Sequence, residues 1–362
     1  MGSSRSDSQS SSLISSLFSI VGLLAGAAVV ADGSREPEVP CYFIFGDSLF
    51  DPGNNNNLNT TMKANYPPYG VDFPSGVATG RYSNGRTTAD IIGELLGFES
   101  FIPPFASAPN NSEILVGVNY ASGSAGLLLE TGKFMGENID LSQQLKNHEQ
   151  TVSRIGKILG SKKAADDHLA QCLYICNMGN NDYIANYLQP QVSNFSKRYN
   201  PDQFAAFLVE QYSHELVRMH VMGARKVGVT GVNLIGCTPA AIAMYGDKDL
   251  LCVDSMNKLV VPFNERLKAI IDKLNVRFTD AKFVYLDSAT NFELWVTYVF
   301  VSAFPIKSTA CCKVSLATGM CIPNVEPCKT RRAHAFWDAF HPSEAASRLI
   351  APFYLRALKK IL

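Results

Sequence analysis

Three kinds of side chain spread along the chain could together run acyl transfer: a hydroxyl, an imidazole with a carboxylate beside it, and an amide donor. Ser48 closes Gly46-Asp47-Ser48, directly after the apolar run Cys41-Tyr-Phe-Ile-Phe45. An apolar run that breaks onto a glycine turn presents a hydroxyl at a sheet edge, because Gly46 lets the backbone reverse sharply. Far downstream, Asp338 lies three residues before His341. At that spacing the carboxylate can bond one ring nitrogen and fix the tautomer, leaving the other nitrogen as a base for the serine proton. The negative charge that then develops on a carbonyl oxygen needs hydrogen-bond donors. Candidates are the backbone N–H of Ser48, a backbone N–H at Gly123 or Gly126, and the side-chain amide of Asn181. Each feature also has a plainer reading. Gly-Asp-Ser is by itself a turn, Asp338 equally suits a helix cap beside a solvated histidine, and Asn181 can simply close a turn.

Five apolar runs read as strands: Cys41–Phe45, Ile114–Tyr120, Gln171–Cys176, Lys226–Gly231 and Lys282–Leu286. Between them fall helical patterns at Thr87–Leu96, Leu141–Leu159, Pro201–Met222 and Ser255–Arg277, the last interrupted by Pro262. A final helical run covers Ser343–Ile350, with Pro342 suited to its first position. This alternation predicts an α/β fold with a doubly wound parallel sheet, helices on both faces, and ligands beyond the carboxyl ends of the strands. Ser48, the Gly123–Gly126 turn and Asn181 each follow a strand, so one crevice can collect them. The Asn-rich stretch Asp51–Asn57 and the Pro/Gly/Tyr-rich stretch Tyr66–Arg86 read as surface loops. With no composition break, a single domain runs from about residue 40 to 362.

The 362 residues carry a formal net charge of +0, so no basic field points to nucleic acid. A Ser-rich lead containing Arg5, an apolar run Leu13–Val30 and small residues at Val29 and Ala31 have the shape of a signal peptide over 1–31, followed by a short leader over 32–39. The alternative is an uncleaved anchor, since the run approaches the roughly 18 residues that can span a bilayer; its serines, glycines and alanines favour cleavage. No later stretch is long and apolar enough for a membrane anchor. Asn59, Asn110 and Asn194 open Asn-x-Ser/Thr triplets, glycosylation acceptors in an exported protein. Of the nine cysteines, Cys41, Cys172 and Cys176 lie in apolar strand-like runs, whereas Cys237, Cys252, Cys311, Cys312, Cys321 and Cys328 lie in loops and suggest disulfides, Cys237 with Cys252 first. The Cys311–Cys328 cluster lacks the paired Cys-x-x-Cys spacing of a zinc knuckle, and His214 and His220, six apart on a helix, do not share a face, so no metal site is expected. There is also no Gly-x-Ser-x-Gly elbow, phosphate loop or His-Glu-x-x-His.

Phe45-Gly-Asp-Ser-Leu49 with Asp51 and Gly53-Asn-Asn-Asn56, then Asn119-Tyr-Ala-Ser122 to Gly126, Gly179-Asn-Asn-Asp182, and Asp338-x-x-His341-Pro resemble the successive blocks of the plant GDSL esterase/lipase family of SGNH hydrolases. Order and spacing match over nearly the whole chain after the leader, and Asn84-Gly-Arg86, Gly236-Cys-Thr-Pro239 and Ala310-Cys-Cys312 are similar to accessory family stretches. The resemblance implies a flavodoxin-like three-layer α/β/α sandwich with a five-stranded, mainly parallel sheet. It implies Ser48 as nucleophile, His341 as base and Asp338 as its partner, with Ser48, Gly126 and Asn181 lining the oxyanion hole; Gly126 is preferred because the family keeps the last glycine of that block. Ser124, Asn180 and Lys313 depart from the usual family residues, and none of these changes removes a catalytic group. No cofactor is implied. The expected substrates are lipid esters, cutin-like polyesters or acetylated polysaccharides, and the expected location is secreted, extracellular or cell wall. An acyltransferase on the same residues, and a non-catalytic wall-binding relative, are the competing readings.

Overall fold

The computed structural model describes residues 36–109, 111–246, 251–288 and 304–362. The signal-peptide reading over 1–31 and the acceptor Asn110 lie outside these residues.

In chain order the elements are β1 (Tyr42–Gly46), α1 (Thr88–Leu95), α2 (Leu141–Ile158), α3 (Lys162–Leu169), β2 (Leu173–Asn177), α4 (Phe195–Arg198) and α5 (Pro201–Val221). They continue with β3 (Lys226–Thr230), α6 (Pro239–Tyr245), α7 (Asp254–Arg277), β4 (Lys282–Leu286), β5 (Ile306–Ala310), β6 (His334–Phe336) and α8 (Glu344–Leu358). The first four strands form a parallel sheet in the order β1-β2-β3-β4. β1 and β2 are buried at every residue, which is why they read as unbroken apolar runs. Phe43, Phe45, Tyr174, Val227 and Val229 pack under α2, α3, α5 and α7, whereas Tyr42, Ile44, Leu173 and Ile175 pack under α1 and α8. Burying each such side chain is worth roughly 1.5–3 kcal/mol. The result is three layers, helices over sheet over helices.

The sheet has four strands where five were expected. Ile114–Tyr120 does not form a strand: Ser112–Val116 winds into a 3₁₀ turn started by Asn111, whose side chain accepts from Glu113 N. Gly117 then passes so close to β1, at φ +130°, that a Cβ there would sit 2.0 Å from Tyr42 O. Only beyond it does the chain lie along β1, with Ile44 N donating to Val118 O at 3.1 Å, Tyr120 N to Ile44 O at 2.7 Å and Ser122 N to Gly46 O at 3.0 Å. This segment lies on the side of β1 away from β2, so the spatial order is that of flavodoxin-like sheets, with the switch point between β1 and β2.

Two proline expectations also change. α7 is continuous through Pro262; the carbonyl that loses its N–H partner belongs to Lys258, an exposed residue that water can serve. α8 begins after Ser343, whose hydroxyl accepts from Ala346 N at 3.2 Å and donates to His334 O at 2.8 Å, so Pro342 stands outside the helix. α1 starts on a capping box at Thr87 and Asp90, and Gly97 beyond its end has φ +94°.

Cys237–Cys252, Cys311–Cys328 and Cys312–Cys321 are disulfides, as the loop setting suggested. The fourth, Cys41–Cys172, joins two residues read as buried strand cysteines. The register Tyr42↔Leu173 puts the residues just before β1 and β2 side by side, with Cα atoms 4.6 Å apart. Cys176 keeps a free thiol, which burial pushes up to about 12. No helix among the described residues is long and apolar enough to cross a membrane.

Candidate active site

Ser48 sits on the turn that leaves β1, held from three sides. Gln144 on α2 donates to Gly46 O at 2.8 Å and accepts from Gly46 N at 3.0 Å. Asp47 Oδ1 accepts from Leu49 N and Asn177 Nδ2, both at 2.9 Å, and its Oδ2 accepts from Asn180 Nδ2 at 3.3 Å. The peptide N–H groups of Phe50 and Asp51 both return to Asp47 O. The serine is thus fixed by backbone and amide contacts, with 7% of its surface exposed.

His341 and Asp338 come from the segment between β6 and α8. Asp338 Oδ1 accepts from the backbone N–H groups of Phe340 and His341, each at 2.9 Å, and His341 Nδ1 lies 2.8 Å from both carboxylate oxygens. The opposite ring nitrogen, Nε2, is 2.8 Å from Ser48 Oγ. Tyr82 packs against the imidazole at a tilt of 40°, with ring centroids 4.9 Å apart. Asp338 is fully buried and His341 is 3% exposed, so a charge formed on the ring would be poorly screened by water and would depend on the carboxylate.

The asparagine-rich loop read as surface turns inward instead. Asp51, 0% exposed, accepts from Gly53 N and Asn54 N at 2.7 Å and from Gly123 N at 2.8 Å. Asn54 donates to Asn119 O and Ala121 O, and Asn55 donates to Gly123 O at 3.0 Å while accepting from Ser122 Oγ. These bonds tie the turn over Ser122–Gly126 to the serine turn. Asn181 Nδ2 donates to Ala125 O at 2.8 Å, and the amide nitrogen has a second hydrogen to offer. Asp182 accepts from Leu127 N, Leu128 N and Thr131 Oγ1, fixing the far end of that turn.

The two glycines differ. Gly123 is packed so that a Cβ would lie 2.0 Å from Tyr82 Oη, and its N–H is taken by Asp51. The N–H groups of Gly126 and Ser48 meet no acceptor among the described residues. Tyr69, Gln144 and Asp182 were not singled out from sequence. Nothing in the spacing of Tyr69, far upstream in a loop, announces that its hydroxyl reaches Asp338.

Burial pushes Asp47 and Asp182 up to about 6 and Asp51 up to about 7, against the donors that surround them. All three therefore bind a proton more tightly folded than unfolded, and their contribution to stability falls as pH rises from the ordinary 3.8 through those values. Together they outweigh buried His148, which burial pushes down to about 3 and which acts the opposite way below 6.5. Each unit is worth about 1.4 kcal/mol before solvent relaxation. The midpoint of thermal denaturation is expected to be higher at pH 5 than at pH 8, and Asp51→Asn should flatten that slope. A midpoint that rises steadily from pH 5 to 8 would contradict this account.

A three-layer parallel α/β sheet that sets a serine, an imidazole and a carboxylate in line beyond its carboxyl edge has the design of an SGNH-type hydrolase. The chain belongs to the GDSL esterase/lipase family: the sequence model of the GDSL-like Lipase/Acylhydrolase family matches residues 42–352. Among its relatives, two GDSL esterase/lipases of Arabidopsis thaliana are 41% identical over 92% of this chain and 91% of their own length, and 43% identical over 87% and 86%. A third from the same plant is 40% identical over 91% of both chains. The protein is accordingly a carboxylic ester hydrolase, acting on small-molecule or polymer esters.

Proposed function

We propose that Ser48 is the nucleophile of two-step ester hydrolysis, His341 its general base and Asp338 the group that orients and charges the imidazole. His341 takes the Ser48 proton as Oγ attacks the ester carbonyl, and then gives it to the departing alcohol. Water enters, is deprotonated by the same nitrogen, and releases the acid. The observation that carries this reading is the unbroken line from Ser48 Oγ through both nitrogens of His341 to Asp338, every contact at 2.8 Å.

The oxyanion donors in this reading are the N–H groups of Ser48 and Gly126 and the amide of Asn181. The N–H of Gly126, without an acceptor among the described residues, supports it over Gly123, whose N–H is engaged by Asp51. Asn181→Ala is expected to lower kcat by about 10²- to 10³-fold, roughly 3–4 kcal/mol, with little change in KM. A loss below threefold in a folded variant would remove Asn181 from the mechanism.

The proposed substrates are lipid esters, cutin-like polyesters or acetylated wall polysaccharides met outside the cell, after removal of residues 1–31, by one catalytic domain over about 40–362. Export is supported by four disulfides, and by exposed acceptor asparagines at Asn59 and Asn194. Labelling of purified protein with a fluorophosphonate, located by peptide mapping, tests the nucleophile. An ester panel from acetylated polysaccharide to long acyl chains tests the substrate class. A label that maps to any residue but Ser48 would overturn the proposed chemistry.

A further inference from the structure

We propose that Tyr69 is a positioning residue for the reaction, holding the second oxygen of Asp338, and that the loop closed by the Cys312–Cys321 disulfide holds Tyr69 in turn. The inference rests on the reading of Ser48, His341 and Asp338 given above and adds to it what keeps the carboxylate in one orientation. Asp338 Oδ1 is fixed by two backbone N–H groups, but besides the imidazole, Oδ2 has one donor among the described residues, the Tyr69 hydroxyl at 2.7 Å. Without that donor Oδ2 is held by the imidazole alone, so the carboxylate plane can tilt about the oxygen fixed by Phe340 and His341, and His341 Nδ1 follows it.

The hydroxyl is itself placed. Tyr69 is 1% exposed, its ring lies edge-on to Tyr66 at 5.4 Å, and its oxygen accepts from Cys321 N at 3.1 Å. Tyr66 donates to Cys321 O at 2.9 Å, so two tyrosines grip the same residue. The disulfide partner Cys312 donates its N–H to Trp337 O at 3.0 Å, and Gly319 O accepts from Ala339 N at 3.0 Å. The loop therefore binds the residues on both sides of Asp338 as well as the phenol that reaches its carboxylate. Burial and the charge of Asp338 raise the Tyr69 phenol well above its ordinary value, which keeps it protonated and a donor at working pH.

Removing one donor from a carboxylate concentrates its charge on the imidazolium it faces, so the base becomes stronger as it becomes less well placed. On a short p-nitrophenyl ester, Tyr69→Phe should lower kcat about 10-fold and leave KM within about twofold. The acid limb of kcat/KM should move up by about half a pH unit. In an Asp338→Asn background the same change should have almost no further effect, because the two residues act through one contact. If Tyr69→Phe does not accumulate folded, 3-fluorotyrosine at position 69, a stronger donor, should move the acid limb down. A folded Tyr69→Phe with wild-type kcat and acid limb overturns the proposal, as does an undiminished effect in the Asp338→Asn background or an unmoved limb with the fluorinated residue. Ser48→Ala run alongside separates the cases: activity surviving there would sink the underlying reading, not the role of Tyr69.

Discussion

Ser48→Ala is expected to lower kcat on a short p-nitrophenyl ester by about 10⁴- to 10⁶-fold, with the fold unchanged and fluorophosphonate labelling lost. The size follows from what the substitution removes. Ser48 Oγ is the atom that faces His341 Nε2 at 2.8 Å, and without it the base has no proton to take and the carbonyl no attacking oxygen. The turn itself does not depend on the hydroxyl: it is held by Gln144, by Asn177 and Asn180 on Asp47, and by the peptide bonds to Asp47 O. The denaturation midpoint should accordingly stay close to that of the parent, and the oxyanion donors should leave a residual rate about 10³-fold above water. A variant that kept a tenth of the activity would show that another group attacks the ester.

How much of this was legible in the chain depends on whether the controlling contacts were local. β1 and β2 announced themselves because strands buried at every residue must be apolar throughout, and β3 and β4 because each carries a short apolar run after a lysine. α3, a short helix over Lys162–Leu169, was not read. The pairing of Asp338 with His341 was legible for the same reason, being set by three residues of one turn. Ile114–Tyr120 was misread because it has strand-like residues, while Asn111 starts a 3₁₀ turn over its first half and the close pass of Gly117 against Tyr42 O is made between distant parts of the chain. The Cys41–Cys172 bond is hidden likewise: its partners are 131 residues apart and meet only once β1 and β2 pair. Composition misled at Asp51–Asn57, where polar residues suggested a solvated loop. Asp51, Asn54 and Asn55 instead spend their hydrogen bonds on the backbone of the Asn119–Gly123 segment, a use of asparagine that composition cannot distinguish from a turn.

Asp338→Asn is expected to lower kcat by about 10⁴-fold with KM nearly unchanged, and the geometry says why an isosteric change should cost so much. The N–H groups of Phe340 and His341, both 2.9 Å from Oδ1, require an acceptor there, so the asparagine would keep its oxygen at that position and turn its NH₂ toward the place of Oδ2. That NH₂ would face His341 Nδ1, which lies 2.8 Å from Oδ2. Two donors cannot share that contact, so Nδ1 becomes the acceptor and the ring proton moves to Nε2. The nitrogen opposite Ser48 Oγ would then carry a hydrogen and could not accept the serine proton. Because the carboxylate is fully buried, its loss also removes the nearby negative charge that would stabilise a protonated imidazole in a site poorly screened by water. Steady-state kinetics beside a proton spectrum of the imidazole N–H signals would check both halves: a kcat within tenfold of the parent, or an Nδ1-protonated ring in the variant, would contradict the assigned role of Asp338.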